Sequence, residues 1–332
     1  MAIRVMHMGL GPIGAAIVRQ VATRPGFKIV AAVDIDEAIV GKDLGGVVGL
    51  DRKLRIKVTD DPTRTIKQSK PDVVVLCTSS SLGKVADQLE LILKRRVPVV
   101  STTEELAYPF CSNRKLAKRI DTMAKKAKVA VLGTGVNPGF TMDALPIALT
   151  AVCERVDAIH VDRVQDAARR RLPFQQKIGA GLTVAEFQER VEAGTVRHVG
   201  LTESIAMIAD AMGWQLDRIT DEILPKVAEA AVSSEFLTVP AGRVAGIIQD
   251  GVGYVNGEPA ITLHMEAYLG APASYDAVRI TGSPPIYSRI EGGVHGDVAT
   301  ASITVNSIPA VLDAKPGLHT MRSLRLPSYF GG

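Results

Sequence analysis

Two different patterns of hydrophobic and polar residues meet near residue 150. Before it, short β-branched apolar runs alternate with helical patterns of about ten to fifteen residues, which predicts a parallel sheet with right-handed crossovers. The predicted strands are 2–8, 28–34, 54–58, 72–78, 97–101 and 129–133, and the predicted helices are 12–24, 62–69, 82–95 and 112–127.

After residue 150 the runs are longer and their faces alternate, which favours a mostly antiparallel sheet. The predicted strands are 156–165, 215–223, 243–255, 259–268 and 276–282, and the predicted helices are 183–193 and 199–212. Asn256-Gly257 falls between two of these strands and is a strong hairpin signal. A last helix, at about 296–313, is expected to return to the first domain.

These patterns predict an α/β fold, a Rossmann-type doubly wound parallel sheet plus an α+β domain with a mostly antiparallel sheet. A chain of 332 residues exceeds the usual single core, so two domains are expected. The expected parts are a Rossmann domain at 1–150, completed by the helix at about 296–313, a second, α+β domain at 151–295, and a tail at 314–332.

A glycine turn lies between the first predicted strand and the first predicted helix. Gly9 permits the turn, Gly11 lets the backbone approach a pyrophosphate, and Gly14 lets the helix pack closely on the strand. Asp34 ends the second apolar run, twenty residues beyond Gly14, where a carboxylate accepts hydrogen bonds from a ribose 2′-OH. The combination predicts a nicotinamide or flavin dinucleotide; the alternative is a glycine turn without a cofactor. The remaining turn residues expected at the cofactor are Leu10, Pro12 and Ile13.

Asp34 favours NAD over NADP because its carboxylate repels a 2′-phosphate. Its neighbours are Ile35, Asp36 and Glu37, and the first cation is Lys42, through which NADP use stays open. The other interpretation of Asp34 is a cap on the following turn.

Small and polar residues follow several predicted strands at their carboxyl ends, where ligands of parallel sheets bind. The expected cofactor contacts are Thr78, Ser79, Ser80, Thr102, Thr103 and Asn137, together with Asn306 of the last helix. Glu104, just past the fifth strand, is the candidate catalytic acid or base. Its alternative role is a favourable charge at the N-terminus of the following helix or loop. We prefer Glu104 to Glu105 because it lies closer to the strand end.

The second domain offers weaker candidates for a substrate pocket. Cations from Arg163 to Lys177 precede the turn Gly179-Ala180-Gly181 and could bind an anionic group, although such runs are more often solvated loops or interfaces. His264 suits a pocket wall or a satisfied core histidine, and His295 suits a ligand contact or a helix cap. The expected pocket residues are Phe140, Arg163, Phe174, Gln176, Leu182 and His264.

Composition narrows the class of protein. With 46% hydrophobic and 22% charged residues and a net charge of +4, the chain is typical of a soluble globular protein, without a signal peptide or membrane span. Three cysteines lack metal-ligand spacing, which indicates free thiols, a cytoplasmic location and no metal. The basic run 114–128 has helical spacing without interleaved aromatics, which argues against nucleic-acid binding. No Gly-x-Ser-x-Gly elbow of a hydrolase occurs.

Several longer motifs resemble those of the 2,4-diaminopentanoate dehydrogenases and the native amine dehydrogenases similar to them. Gly41-Lys42-Asp43-Leu44-Gly45 follows Val33-Asp34, and the other motifs are Thr102 to Pro109, Gly133 to Phe140, Arg171 to Gly181, Gly292 to Thr300 and Pro316 to Met321. The resemblance spans nearly the whole chain. The fold also resembles dihydrodipicolinate reductase, but the His-His-x-x-Lys segment of that family is missing.

The resemblance implies a reversible, NAD(P)-dependent conversion of a small primary amine to a carbonyl compound and ammonia. The family's glutamate after the fifth strand falls on Glu104 here. The substrate is expected to be a small aliphatic or hydroxylated amine, with 2,4-diaminopentanoate as the alternative. A non-catalytic NAD-sensing protein is the hypothesis from another class. A homodimer through the second domain's sheet is the expected assembly.

Overall fold

The computed structural model describes residues 2–331, and their contacts divide the chain into two compact units. Unit 1 runs to Phe140 and resumes at His295, whereas unit 2 is Thr141–Val294. This division falls ten residues before the expected boundary at 150. Hydrophobic residues of the intervening segment, Leu145 and Leu149 among them, pack against the core of unit 2, which explains the shift.

Fifteen strands and ten α-helices are assigned within the described residues. The strands are β1 (Ile3–Met8), β2 (Phe27–Val33), β3 (Val58–Thr59), β4 (Val73–Leu76), β5 (Val99–Ser101), β6 (Ala130–Gly133), β7 (Arg155–Asp166), β8 (Arg218–Val227), β9 (Val232–Ser233), β10 (Thr238–Val239), β11 (Val244–Val255), β12 (Glu258–Tyr268), β13 (Tyr275–Ser283), β14 (Ile286–Glu291) and β15 (Gly317–His319). The helices are α1 (Pro12–Thr23), α2 (Leu44–Val47), α3 (Pro62–Ser69), α4 (Leu82–Lys94), α5 (Arg114–Ala127), α6 (Ala144–Leu149), α7 (Leu172–Lys177), α8 (Val184–Glu192), α9 (Leu201–Met212) and α10 (Gly296–Leu312).

Unit 1 is a seven-stranded parallel sheet with the strand order β15-β6-β5-β4-β1-β2-β3. Chain order reverses between β4 and β1, and in such sheets ligands bind beyond the carboxyl ends of the strands at this switch point. Every residue of β4 is buried, as expected for a strand covered on both faces. The predicted doubly wound parallel sheet is confirmed.

The last helix returns to unit 1, as predicted. α10 packs beside α1, where Gln20 Nε2 donates to Ser302 Oγ at 3.0 Å and Arg24 Nη1 donates to Asn306 Oδ1 at 2.5 Å. The segment expected to be a tail then adds β15 to the sheet beside β6. This edge strand was missed because three residues are too few to show an alternating pattern.

One predicted strand of unit 1 is largely wrong. Residues 54–58 read as a strand, but only Val58 and Thr59 pair with β2. Asp43 explains the difference, because its carboxylate accepts hydrogen bonds from Leu54 N at 3.0 Å and Arg55 N at 2.7 Å. These bonds use backbone donors that a longer strand would need for its ladder.

Unit 2 contains a six-stranded sheet with the order β14-β13-β7-β12-β11-β8. Only β12 and β7 run parallel, so the sheet is mostly antiparallel, as predicted. The hairpin at Asn256-Gly257 joins β11 and β12, with positive φ angles of 53° and 82°. β14 and the short helices α6 and α7 were not predicted. No helix among residues 2–331 is long and apolar enough to cross a membrane.

Candidate active site

The glycine turn between β1 and α1 is built by close backbone approaches. Gly9 has a φ of +93°, and a Cβ there would lie 2.6 Å from Cys77 O. At Gly14 a Cβ would lie 2.0 Å from Gly9 O. A side chain at either position would therefore displace the turn from α1 or from the segment after β4.

The N-terminus of α1 offers backbone donors beside open space. A Cβ on Gly11 would meet no atom within 4 Å. The first hydrogen bond within the helix runs from Ala15 N to Gly11 O, so the amides of Ile13 and Gly14 precede it. Backbone amides at a helix N-terminus, with the positive end of the helix dipole, form a site for a phosphate group. The turn therefore fits the pyrophosphate of a dinucleotide.

Asp34 at the end of β2 is bonded to the same turn. Its Oδ2 accepts a hydrogen bond from Leu10 N at 2.6 Å, and its Oδ1 accepts from Ile35 N at 2.7 Å and Asp36 N at 3.1 Å. The carboxylate therefore fixes Leu10, and acceptor capacity remains for a ribose hydroxyl. Both interpretations of Asp34, ribose contact and turn cap, are compatible with this geometry.

The segment after β4 lies directly against the glycine turn. Cys77 N donates to Met8 O at 2.7 Å, and burial raises the pKa of the Cys77 thiol to about 11. The thiol therefore stays protonated and is a poor nucleophile. Thr78 is exposed, and its hydroxyl donates to Gln88 Oε1 at 2.6 Å.

A hydroxyl-rich turn follows β5 and carries Glu104. Ser101 and Thr103 are fully buried; Ser101 Oγ donates to Leu76 O at 2.9 Å, and Thr103 Oγ1 donates to Ser79 O at 2.8 Å. Glu104 is half-buried and begins a 3₁₀ turn, which Ala107 N closes by donating to Glu104 O at 3.1 Å. Thr103 thus uses its hydroxyl to hold the loop that carries Glu104. Sequence reasoning missed Ser101 as part of this network.

The two neighbouring glutamates have different surroundings. Glu105 Oε2 accepts a hydrogen bond from Leu82 N, the first residue of α4, at 2.7 Å. A carboxylate at a helix N-terminus is stabilised by the helix dipole. Glu105 therefore caps α4, a helix that precedes it in the chain, whereas Glu104 lies at the start of the 3₁₀ turn Glu104–Leu106, where the alternative interpretation of its charge also applies.

The loop after β6 is tight and buried. Asn137 is 7% exposed, and Val136 N donates to Thr300 Oγ1 of α10 at 3.3 Å. Thr300 was not singled out from the sequence, although it lies in the motif from Gly292 to Thr300. His295 caps α10, since its Nδ1 accepts from Val298 N at 3.5 Å.

Asn306, one of the residues expected to contact the cofactor, is hydrogen-bonded to the end of α1. Asn306 accepts a hydrogen bond from Arg24, the residue that follows the last turn of α1. A twelve-residue helix rises about 18 Å. Asn306 therefore lies beside the end of α1 remote from the glycine turn, and the sequence pattern of α10 could not show which of its turns faces that end.

In unit 2, Arg163 forms a buried ion pair. Its side chain is 3% exposed, and Nη1 donates to Asp276 Oδ1 at 2.5 Å and to Thr141 Oγ1 at 3.3 Å. Nη2 donates to Val294 O at 3.1 Å. These partners are all within unit 2 and favour a structural role for Arg163 over an anchor for a substrate carboxylate.

The other pocket candidates differ in exposure. Phe174 lies under the guanidinium of Arg170, whose Cζ is 4.2 Å from the ring centroid, and Leu182 packs against the core of unit 2. Gln176 is exposed, whereas its neighbour Gln175 is fully buried and donates to Arg170 O at 2.8 Å. Phe140 is half-buried at the end of the first stretch of unit 1.

His264 lies between two carboxylates on one face of the unit 2 sheet. Nδ1 is 2.6 Å from Asp250 Oδ1 and Nε2 is 3.0 Å from Glu266 Oε1. Burial alone lowers the pKa of His264, but the hydrogen bonds to Asp250 and Glu266 outweigh it and raise the pKa. His264 is thus a satisfied histidine, which was one of the two interpretations of its sequence position.

The parallel sheet, its glycine turn and the acid after β2 together form a dinucleotide-binding fold. The model of the 2,4-diaminopentanoate dehydrogenase C-terminal domain matches residues 140–332, and that of the dihydrodipicolinate reductase N-terminus matches residues 3–132. The chain belongs to the 2,4-diaminopentanoate dehydrogenase family.

Individual relatives agree with this membership. The chain is 37% identical to 2,4-diaminopentanoate dehydrogenase of Acetoanaerobium sticklandii, covering 98% of this chain and 94% of that protein. It is 23% identical to an amine dehydrogenase of Streptomyces virginiae, covering 97% and 96% of the two proteins. The solved amine dehydrogenase of Mycobacterium smegmatis aligns with a TM-score of 0.88 and 25% identity, covering 100% of this chain and 98% of that one.

Proposed function

We propose that this protein is an NAD-dependent amine dehydrogenase. It oxidises a primary amine, with water, to a carbonyl compound and ammonia, and it catalyses the reverse reductive amination. Family membership and the names of the relatives support the reaction class. The observation within the chain that carries the proposal is the position of Glu104, a half-buried carboxylate at the carboxyl end of β5.

The cofactor is held by the edge of the unit 1 sheet. The amides of Ile13 and Gly14 would hold the pyrophosphate, and Asp34 would accept hydrogen bonds from the ribose hydroxyls. Asp36 and Glu37 are exposed beside Asp34, and this acidic segment disfavours the extra phosphate of NADP. When bound, the nicotinamide accepts the hydride from the amine carbon.

Glu104 supplies the charge and the proton transfers of the reaction. Its carboxylate stabilises the cationic iminium that remains when the amine carbon has lost a hydride. It then accepts a proton from the water that attacks this carbon, returns it to the nitrogen as ammonia leaves, and takes up the remaining hydroxyl proton as the carbonyl forms. The same steps in reverse order aminate the carbonyl compound.

Two substrate classes follow from the relatives. The relative at 37% identity makes 2,4-diaminopentanoate the first compound to test, and the relatives named amine dehydrogenase support an amine as the substrate class. The donors of Arg163 are directed to Asp276, Thr141 and Val294. If a substrate carboxylate binds, we therefore expect cations other than Arg163 to hold it.

A spectrophotometric assay tests the function directly. The purified protein is incubated with 2,4-diaminopentanoate or with a panel of small alkylamines and amino alcohols, each with NAD or NADP, and the absorbance of the reduced cofactor is followed. We expect amine-dependent reduction that is faster with NAD. Tight binding of NAD without turnover of any amine would favour the NAD-sensing alternative and contradict the proposal.

We further propose that the protein is a homodimer through the unit 2 sheet. The sheet exposes Leu224, Val227 and Tyr287, with exposed fractions of 45%, 38% and 57%. Leu224 and Val227 lie on β8 and Tyr287 lies on β14, the two edge strands of this sheet, and a two-fold dimer would bury the same patch of each subunit. Light scattering after size exclusion should give twice the chain mass, and Leu224→Glu should shift the protein towards the monomer.

A further inference from the structure

Two consecutive strand-end segments of unit 1 are joined by a row of hydrogen bonds. One segment is the loop from Cys77 to Ser81 between β4 and α4, and the other is the turn from Ser101 to Leu106 after β5. The bonds run from Thr102 N to Leu76 O at 3.1 Å, from Thr103 Oγ1 to Ser79 O at 2.8 Å, from Glu105 N to Ser80 O at 3.2 Å and from Leu82 N to Glu105 Oε2 at 2.7 Å.

The first of these segments also contacts the glycine turn. A Cβ on Gly9 would lie 2.6 Å from Cys77 O and 3.0 Å from Thr78 Cγ2. The glycine turn, the loop after β4 and the turn that carries Glu104 therefore form one continuous packed and hydrogen-bonded row along the edge of the sheet. Packed elements of this kind move together, so a shift in one is passed to the next.

Of the four hydrogen bonds given above, the one from Leu82 N to Glu105 Oε2 depends on a charged side chain. Ser81 is the N-cap residue of α4, but within residues 2–331 its side chain makes no capping hydrogen bond. The carboxylate of Glu105 caps the helix instead, from the neighbouring strand-end turn. The first turn of α4 and the residue adjacent to Glu104 are thereby held at hydrogen-bond distance.

We propose that Glu105 is a positioning residue that couples the cofactor-binding loop to Glu104. It acts through the bond to Leu82 N, which fixes both the loop before α4 and the backbone of its neighbour. The proposal rests on the proposed function, in which Glu104 is the catalytic acid. The two adjacent glutamates thus have different roles. Glu104 contacts the reacting atoms, and Glu105 holds the loop before α4 and the backbone of Glu104 in position.

Two substitutions of Glu105 test the length of its side chain and its charge separately. Glu105→Gln keeps an oxygen that accepts from Leu82 N but loses the charge, whereas Glu105→Asp keeps the charge on a shorter side chain that cannot reach. We expect Glu105→Asp to raise the Kd for NAD at least about fivefold and to lower kcat about tenfold or more, because a cap is lost and the reacting groups are misplaced. Glu105→Gln should stay within about threefold of the wild type in both.

Asp61→Ala is the matched control, since Asp61 caps α3 of the same unit by accepting from Arg64 N at 2.9 Å. It should lower the Tm as much as Glu105→Asp does but leave the Kd for NAD and kcat unchanged. Wild-type binding and turnover in Glu105→Asp, or equal losses in Glu105→Gln and Glu105→Asp, would overturn the proposal.

The Kd for NAD separates this proposal from the proposed function. If Glu104 is not catalytic, Glu104→Gln retains turnover while Glu105→Asp still weakens NAD binding. If Glu105 does not position the loop, Glu104→Gln is inactive while Glu105→Asp binds NAD normally.

Discussion

Ionisable residues gather in two places in this molecule, the strand-end edge of the unit 1 sheet and the strands of the unit 2 sheet. In unit 2 they pair with one another on the sheet: Arg163 with Asp276 and His264 with Asp250 across neighbouring strands, and His264 with Glu266 along β12. At the edge of unit 1, carboxylates instead accept from backbone amides, as Asp34 does from Leu10 and Glu105 from Leu82.

The two arrangements serve different roles: the charge pairs of unit 2 stabilise the fold, whereas the carboxylates at the edge of unit 1 order the candidate active site. Side chains paired across strands have their charges matched inside the fold, and they fix the register of the sheet. Carboxylates bonded to loop amides order the loops at the carboxyl ends of parallel strands, where ligands bind. A cluster of charges therefore does not by itself mark an active site; the position of the cluster in the topology does.

The largest expected effect on stability comes from the buried pair in unit 2. Asp276→Ala leaves the buried Arg163 charge without its carboxylate, and we expect a loss of about 3–5 kcal/mol in the free energy of unfolding. The single tryptophan, Trp214, packs against the unit 2 core, so its fluorescence in a urea titration reports this unit.

The double variant Arg163→Met/Asp276→Leu is the control. Because it removes both charges, it should recover most of the free energy of unfolding that Asp276→Ala loses. The Kd for NAD should stay within about twofold of the wild type in both variants. A large change in NAD affinity with little change in the free energy of unfolding would contradict the stabilising role assigned to the ion pair of unit 2.

The next largest effect on stability is expected from a histidine buried in unit 1. His7 is 1% exposed, neither ring nitrogen has a hydrogen-bond partner among the described residues, and burial lowers its pKa to about 3. Between pH 6.5 and pH 3 the unfolded chain binds a proton here that the folded chain does not, so the protein loses stability as the pH falls.

His7→Leu should remove this contribution. Between pH 7 and pH 4 the variant should lose about 3 kcal/mol less than the wild type, in urea titrations followed by circular dichroism. Identical pH dependence in the two proteins would contradict the assigned pKa. Burial also lowers the pKa of His198 in unit 2. The stability of the His7→Leu variant therefore still depends on pH, and Trp214 fluorescence reports this contribution of unit 2 separately.

A smaller effect is expected at Asp34. Asp34→Asn keeps one oxygen acceptor but loses the charge, so it weakens the hydrogen bonds to the ribose and to the turn. We expect the Kd for NAD to rise about tenfold and that for NADP to rise less, because the repulsion of the 2′-phosphate is relieved. Titration calorimetry with both cofactors measures this, and a larger loss for NADP than for NAD would contradict the proposed preference.

The sequence predicted the features that depend on local periodicity and on the fingerprint. The parallel sheet, the returning helix and the hairpin at Asn256-Gly257 are confirmed because each has a pattern longer than a few residues or a dipeptide with special dihedral angles. β15 and β3 were missed or misplaced because they contain three and two residues, and Asp43 diverts the segment before β3.

Long-range partners could not be predicted from the sequence. Nothing in the run from Arg163 to Lys177 shows that Arg163 pairs with Asp276, 113 residues away. The different surroundings of Glu104 and Glu105 depend on α4, whose first amide lies 23 residues earlier in the chain. The hydrogen bond between Asn306 and Arg24 could not be predicted either, because the partners of a helix residue depend on how the helix packs.

The kcat of Glu104→Gln for amine-dependent NADH formation, measured with the Kd for NAD of the same protein, tests the central claim most directly. Glutamine keeps the shape of the side chain but can neither take up a proton nor balance a cation. We expect kcat to fall about 10³-fold or more, with the Kd for NAD within about twofold of the wild type. A kcat within about tenfold of the wild type would contradict a catalytic role for Glu104.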